Sequence, residues 1–213
     1  MICFIDCYIN SPTIDSINEF VELNPTPWTY HVPSQYGLSS LLNLKKQPSA
    51  IILLGSSANV YENRPWQKPL EEYLRKQLNK KIPMLGICYG HQLMAHSFGC
   101  KVDFINTNQE IIREVRSINF HSNCLNISSM SLPYTHGQIV TTITDEFNVL
   151  GQSRHFEFEC IQHKYLPYIG IQAHPEASRE FIVKDCLYTD SVDSIQRNGH
   201  NFLVSFIKYA QSI

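Results

Sequence analysis

Four short runs of almost unbroken apolar residues punctuate the chain: Ile2 to Asp6, Ala50 to Leu54, Pro83 to Ile87 and Ile169 to Ala173. They lack polar alternation, so they predict strands buried on both faces, as in a parallel sheet covered by helices. Between them the apolar period lengthens. Ser11-Pro12 offers an N-cap and first-turn proline, after which Ile14, Ile17, Phe20 and Val21 recur at helical spacing. Leu70, Tyr73, Leu74 and Leu78 form a second stripe, and Phe202, Leu203, Phe206, Ile207 and Ala210 a third. All three predict helices packed on a core. Residues 101 to 163 differ: Ile111 to Ile118, Val149 to Ser153 and Phe156 to Gln162 lean towards β structure with little helical periodicity. The pattern predicts a doubly wound, mostly parallel α/β sheet with flanking helices and extra, partly antiparallel strands.

With 213 residues and 43% hydrophobic content the chain can bury a sizeable core. No linker, repeat or low-complexity segment divides it, so one domain, 1–213, is expected. A net charge of −2 gives no footprint for nucleic acid, and Lys45-Lys46 and Lys80-Lys81 read as short solvated runs. Met1 to Asp6 lacks the basic leader of a signal peptide, and no apolar run approaches the roughly 20 residues of a membrane helix. A soluble, cytoplasmic protein is expected, with neither nucleic acid nor membrane as partner. Seven cysteines without Cys-x-x-Cys spacing argue against a disulfide framework or structural zinc. Cys3, Cys7, Cys100, Cys124, Cys160 and Cys186 read as small apolar fillers.

Cys88 is different. The segment Gly86-Ile87-Cys88-Tyr89-Gly90 joins an apolar strand to a helix-like stretch, Leu93 to Phe98, through a tight Gly-x-Cys-x-Gly turn. This is the pattern of a nucleophile elbow with cysteine in place of serine. It sets the sulfur beside the first free N–H groups of the helix, whose partial positive charge favours thiolate. Near the C-terminus, Gln172-Ala173-His174-Pro175-Glu176 offers a base and an orienting carboxylate, which an extended chain would turn to one side with Pro175 stiffening the link.

These motifs resemble the class I, triad-type glutamine amidotransferase domain of the kind found in GMP synthetases. Three weaker landmarks follow in matching order: Ile51 to Tyr61 is similar to that family's strand and glycine-rich oxyanion loop, Tyr134-Thr135-His136-Gly137-Gln138 to its substrate-gripping segment, and Asn201 to Phe206 to its closing helix. The resemblance implies a flavodoxin-like fold and a Cys88–His174–Glu176 triad that hydrolyses the side-chain amide of glutamine through a glutamyl thioester. It implies backbone oxyanion donors at Ser56 and Tyr89, and substrate contacts at Gly55, Gln92, Thr135, Gly137 and Gln138. Two departures stand out. Gly55-Ser56-Ser57 replaces the Gly-Gly-Pro of many relatives, which suits a loop needing no positive φ at Ser56. Ala173 stands where relatives often carry a bulky aromatic, which would leave room for a larger glutamyl substrate.

Other histidines carry less. His91 reads as a packing or hydrogen-bonding residue at the helix start, and His136 belongs to a segment used through its backbone. His96, His121, His155, His163 and His200 show no metal-ligand spacing, and no metal is expected. There is no Walker A sequence or Gly-x-Gly-x-x-Gly, so no nucleotide cofactor is expected. Three functions follow: a glutaminase subunit supplying ammonia to a separate synthase, a free-standing γ-glutamyl amide or peptide hydrolase, and a catalytically silent module. The intact triad favours the first two.

Overall fold

The four apolar runs become adjoining parallel strands. The computed structural model describes all of residues 1–213 except 11, 13, 25, 122, 123 and 186–189, so the Ser11 cap and Cys186 lie outside the described residues. The elements in chain order are β1 (Ile2–Ile5), α1 (Ile14–Leu23), β2 (Trp28–His31), α2 (Pro33–Tyr36), α3 (Ser39–Leu42), β3 (Ala50–Leu53), α4 (Gln67–Asn79), β4 (Met84–Ile87) and α5 (Tyr89–Ser97). They continue as β5 (Lys101–Phe104), β6 (Ile112–Phe120), β7 (Ser129–His136), β8 (Gln138–Thr142), β9 (Phe147–Gln152), β10 (Cys160–His163), β11 (Tyr168–Ile171), α6 (Arg179–Lys184) and α7 (Val192–Gln211). A nine-stranded sheet runs β2-β1-β3-β4-β11-β10-β9-β6-β7, and β5 pairs with β8 separately. The first five strands are parallel to their neighbours; from β11 onwards each pairing is antiparallel.

Every residue of β1, β3, β4 and β11 is buried, as their unbroken apolar runs predict. Alternation then sorts the side chains between two faces. Ile2, Phe4, Ile52, Leu85 and Ile171 join Phe20 of α1 and Phe202 and Phe206 of α7 on one side. Cys3, Ile5, Ile51, Leu53 and Met84 meet Leu70 and Leu74 of α4 and Leu93 and Met94 of α5 on the other. This is the double winding expected.

The middle of the chain does more than flank the sheet: β6, β7, β9 and β10 extend it. Four strand steps separate β11 from β7, roughly 19 Å in a flat sheet at about 4.8 Å per step. Yet the His174 N–H, just beyond β11, donates to the Pro133 carbonyl of β7 at 2.9 Å. The antiparallel half therefore curls back over the end of the parallel half.

Two sequence expectations change here. Cys124 is exposed, whereas Cys3, Cys7, Cys100 and Cys160 are buried. Residues 172 to 177 do not continue the strand but turn, with Pro175 second in the turn and the Ala177 N–H donating to the His174 carbonyl at 3.2 Å. Proline favours that turn position because its φ is already set.

The helix after β4 starts close against β3. A Cβ added at Gly90 would lie 2.5 Å from the Leu53 carbonyl oxygen, a backbone atom with no freedom to retreat. Gly90→Ala is therefore expected to destabilise the protein by about 3 kcal/mol, an overpacking cost, read as a lower denaturant midpoint at unchanged m-value.

Candidate active site

Parallel pairing in register brings three chain ends together at the carboxyl edge of the sheet. Leu53 pairs with Gly86, and Ile171 with Ile87, so the residues leaving β3, β4 and β11 emerge side by side. The residue leaving β4 is Cys88. Its backbone has φ 49° and ψ −104°, a region that a side-chain-bearing residue rarely adopts and one found at sharp strand-to-helix elbows. The Cys88 N–H donates to the Ile171 carbonyl at 2.9 Å, and the Cys88 carbonyl accepts from the Gln92 N–H at 3.0 Å, which ties the strained residue into sheet and helix at once.

The sulfur has defined neighbours. Its Sγ lies 3.9 Å from the Thr135 carbonyl of β7 and accepts from Gln172 Nε2 at 3.6 Å. His174 Nδ1 and Glu176 Oε1 are 2.9 Å apart and both residues are buried. Because Glu176 engages Nδ1, Nε2 is the nitrogen left open for proton transfer, and it has no hydrogen-bond partner among the described residues. Burial alone pushes this imidazole down, but the Glu176 carboxylate and the Cys88 sulfur outweigh it and hold His174 well above the ordinary 6.5. A ring kept positive next to sulfur stabilises negative charge on it.

Gly55 and Ser56 follow β3. A Cβ at Gly55 would stand 3.0 Å from His174 Cε1 and 3.7 Å from Cys88 Cβ, so the loop lies directly against the pair. Neither Ser56 nor Ser57 has positive φ, and serine is accommodated there without strain. The loop is braced from behind: Gln67 Nε2 donates to the Asn59 carbonyl (2.7 Å) and to the buried Tyr89 hydroxyl (2.8 Å), and the Ala58 N–H donates to Ser56 Oγ (3.0 Å). The Tyr89 N–H opens α5 and has no carbonyl of a preceding turn to bond, as at any helix start.

Of the remaining residues singled out by sequence, Gln92 is buried beside the elbow and donates to the Gln138 carbonyl (2.8 Å) and to Gln172 Oε1 (3.1 Å). The Gly137 carbonyl is taken up by the Ile105 N–H at 3.0 Å. Ala173 is wholly buried, in the core cluster that also holds Ile169, Ile171, Phe202 and Cys88. His91 is also wholly buried, and burial pushes its imidazole down to about 3.

Sequence reasoning missed Gln172, Arg116 and Glu159. Arg116 of β6 is buried, paired with Glu159 at 2.8 Å and stacked on Tyr134 and Phe156 at 4.0 and 4.5 Å. Alternation held the signal, since Arg116 shares the buried face of its strand with Ile118 and Phe120, a placement an unpaired charge does not tolerate. Two cavities, of about 500 and 370 Å³, open elsewhere, the first between Pro33, Leu38 and Trp66, the second between Lys81, Tyr165 and Ile213. The triad candidates are closed in, with Cys88 only 4% exposed.

Residues 4–187 match the family described as glutamine amidotransferase class-I. A GMP synthase [glutamine-hydrolyzing] subunit of Methanopyrus kandleri is 37% identical over 103 residues, 47% of this chain and 55% of that protein. A GMP synthase [glutamine-hydrolyzing] of Brachyspira hyodysenteriae is 26% identical over 202 residues, 92% of this chain and 35% of that protein. The chain thus spans about half or less of the length of these curated relatives. Among solved structures, a glutamine amidotransferase from Thermotoga maritima aligns at a TM-score of 0.78 and 17% identity, covering 99% of this chain and 97% of that one, a likeness of fold.

The coupling of His174 to Glu176 has a measurable sign. Because the folded-state pKa of His174 is raised, its protonation contributes stability that is fully present below about pH 6.5 and is lost as pH rises through the folded value. Glu176→Gln removes the largest raising influence. The variant should show a lower His174 pKa by NMR, and a smaller loss of unfolding free energy between pH 6 and pH 9 than the native protein.

Proposed function

This chain belongs to the class I glutamine amidotransferases, and on that premise we propose that it hydrolyses the side-chain amide of glutamine and supplies the ammonia to a separate synthase subunit. The observation that carries this reading is the convergence of Gly55, Cys88 and the His174–Glu176 pair at the ends of three adjoining strands. The Cys88 thiolate attacks the amide carbon. The N–H groups of Ser56 and Tyr89 receive the developing oxyanion, each donor contributing about 3 to 4 kcal/mol. His174, held protonated by Glu176, gives its Nε2 proton to the departing ammonia. It then takes a proton from the water that cleaves the glutamyl thioester.

Gly55, Gln92, Thr135, Gly137 and Gln138 are assigned to the substrate. For Gln138 the support is a buried Nε2 donor without a partner among the described residues, which a carboxylate would satisfy. The reading treats residues 1–213 as one domain, in keeping with a sheet that runs unbroken from β2 to β7. It places the reaction in the cytoplasm, a reducing compartment suited to a chain whose six described cysteines are all free. Among the described residues no helix is long and apolar enough to cross a membrane.

The buried triad supports a subunit that is slow alone and is opened by docking. The alternative is a free-standing γ-glutamyl hydrolase, which would use the same three residues without an ammonia channel. The proposal is tested by steady-state hydrolysis with the isolated chain and with a GMP synthase subunit that lacks its own amidotransferase. Slow glutamine hydrolysis that rises with the partner is expected, and a strong preference for a γ-glutamyl dipeptide without it would overturn the reading. Cys88→Ala should lower glutamine hydrolysis roughly 10⁴-fold or more. A glutamine-mimicking electrophile should label Cys88 in preference to the buried Cys3, Cys7, Cys100 and Cys160, since burial pushes the thiol of Cys3 up to about 12 and raises those of Cys7, Cys100 and Cys160.

A further inference from the structure

A directional chain of buried hydrogen bonds ends on the nucleophile, and unambiguous acceptors fix its polarity. The Gln138 main-chain oxygen can only accept. Both His136 Nδ1 (3.0 Å) and Gln92 Nε2 (2.8 Å) point at it, so each carries hydrogen on that nitrogen. With Nδ1 protonated, the His136 Nε2 lone pair accepts from Arg116 Nη2 at 3.0 Å, and the ring is neutral because burial and then Arg116 push its pKa down to about 3. The second hydrogen of Gln92 Nε2 is directed to Gln172 at 3.1 Å, which requires Gln172 to present Oε1 there. Its other amide atom, Nε2, must then face Cys88 Sγ, 3.6 Å away. The amide orientations, commonly ambiguous, are settled here by the network itself.

We propose that Gln172 is a positioning residue for the reaction, holding the Cys88 sulfur by an Nε2–H···S hydrogen bond whose direction is set by Gln92 and anchored through the Gln138 carbonyl to His136 and Arg116. This rests on Cys88 being the nucleophile. A donor fixed on sulfur stabilises the thiolate over the thiol and restrains the side chain towards the substrate side of the elbow. The chain is buried throughout: Gln172, Gln92, Gln138, His136 and Arg116 are each less than a tenth exposed. The Gln172 N–H also donates to the Glu159 carbonyl at 2.8 Å, which returns the chain to the residue paired with Arg116.

The other charged and titratable groups around this network are His174, with Glu176 behind it, on the turn after β11, His136 on β7 with Arg116 of β6 and Glu159 at its back, and His91 on α5, which acts on His136. His91 and His136 are neutral over the working range, both pushed to about 3, so neither adds a charge at the sulfur there.

The test is the pH dependence of Cys88 alkylation by iodoacetamide in the full chain, followed by mass spectrometry. Gln172→Met keeps the length and removes the donor, and is expected to move the pH–rate profile to higher pH and slow alkylation at pH 7 several-fold. Gln172→Glu replaces the donor with a like charge and should move it further. Gln92→Met leaves Gln172 in place but unheld, and should move it in the same direction by less. A merely structural role would lower stability without moving the profile, and unshifted profiles in the folded variants would overturn the proposal. Should the variants not fold, the native protein decides: the Gln172 side-chain amide protons must shift as Cys88 titrates, and constancy would overturn it. If native Cys88 is not alkylated, or native enzyme does not hydrolyse glutamine, it is the assignment of the nucleophile that fails.

Discussion

The site depends on how closely the first turn of α5 can approach β3. With Gly90 against the Leu53 carbonyl, Cys88 is forced into a backbone conformation that costs of order 1 to 3 kcal/mol. That strain persists because the surroundings over-determine it: β4 is paired on both sides, and Cys88 is bonded through its N–H to Ile171 and through its carbonyl to Gln92. In exchange the sulfur stands clear of the helix, with open N–H groups beside it and room for a base in front. Any larger residue at position 90 would lift the helix, relax the elbow and turn the sulfur away.

The antiparallel half of the sheet is as much a part of the site as the parallel half. Its last strand returns to bond His174 through Pro133, sets the Thr135 carbonyl near the sulfur and carries His136 against Arg116. His174 is therefore held between two halves of one sheet with different pairing. Glu159 illustrates the tension of burying charge there. Burial raises its carboxyl above the ordinary range and Arg116 only partly offsets this, so the pair contributes direction and rigidity to the site more than stability.

Much of this was legible in the sequence wherever one rule decided the outcome. Continuous apolar runs marked β1, β3, β4 and β11 because strands buried on both faces leave no room for alternation. The glycines around Cys88 marked the elbow because only they permit the approach. The strand β2, Trp28–His31, went unseen because it lies at the sheet edge with three of its four residues only part-buried. The curl of the sheet depends on long-range pairing that no local pattern encodes. His174 and Glu176 were identified as partners for the wrong local reason: a proline turn, not an extended chain, brings them together. Gln172 escaped notice because a neutral amide carries no sequence signal until its neighbours fix which end faces the sulfur.

The turn also touches the C-terminal helix. Gly199, midway along α7, has no side chain where a Cβ would fall 2.2 Å from the Pro175 carbonyl oxygen. A glycine within a helix weakens it by up to about 1 kcal/mol relative to alanine, a loss accepted so that helix and turn can touch. The turn bearing His174 and Glu176 then cannot swing outward while α7 is docked, and α7 is the longest of the described helices, with eight buried residues along its length. Local fluctuation is therefore denied to His174: its amide should exchange with solvent only through an opening that releases the helix from the turn.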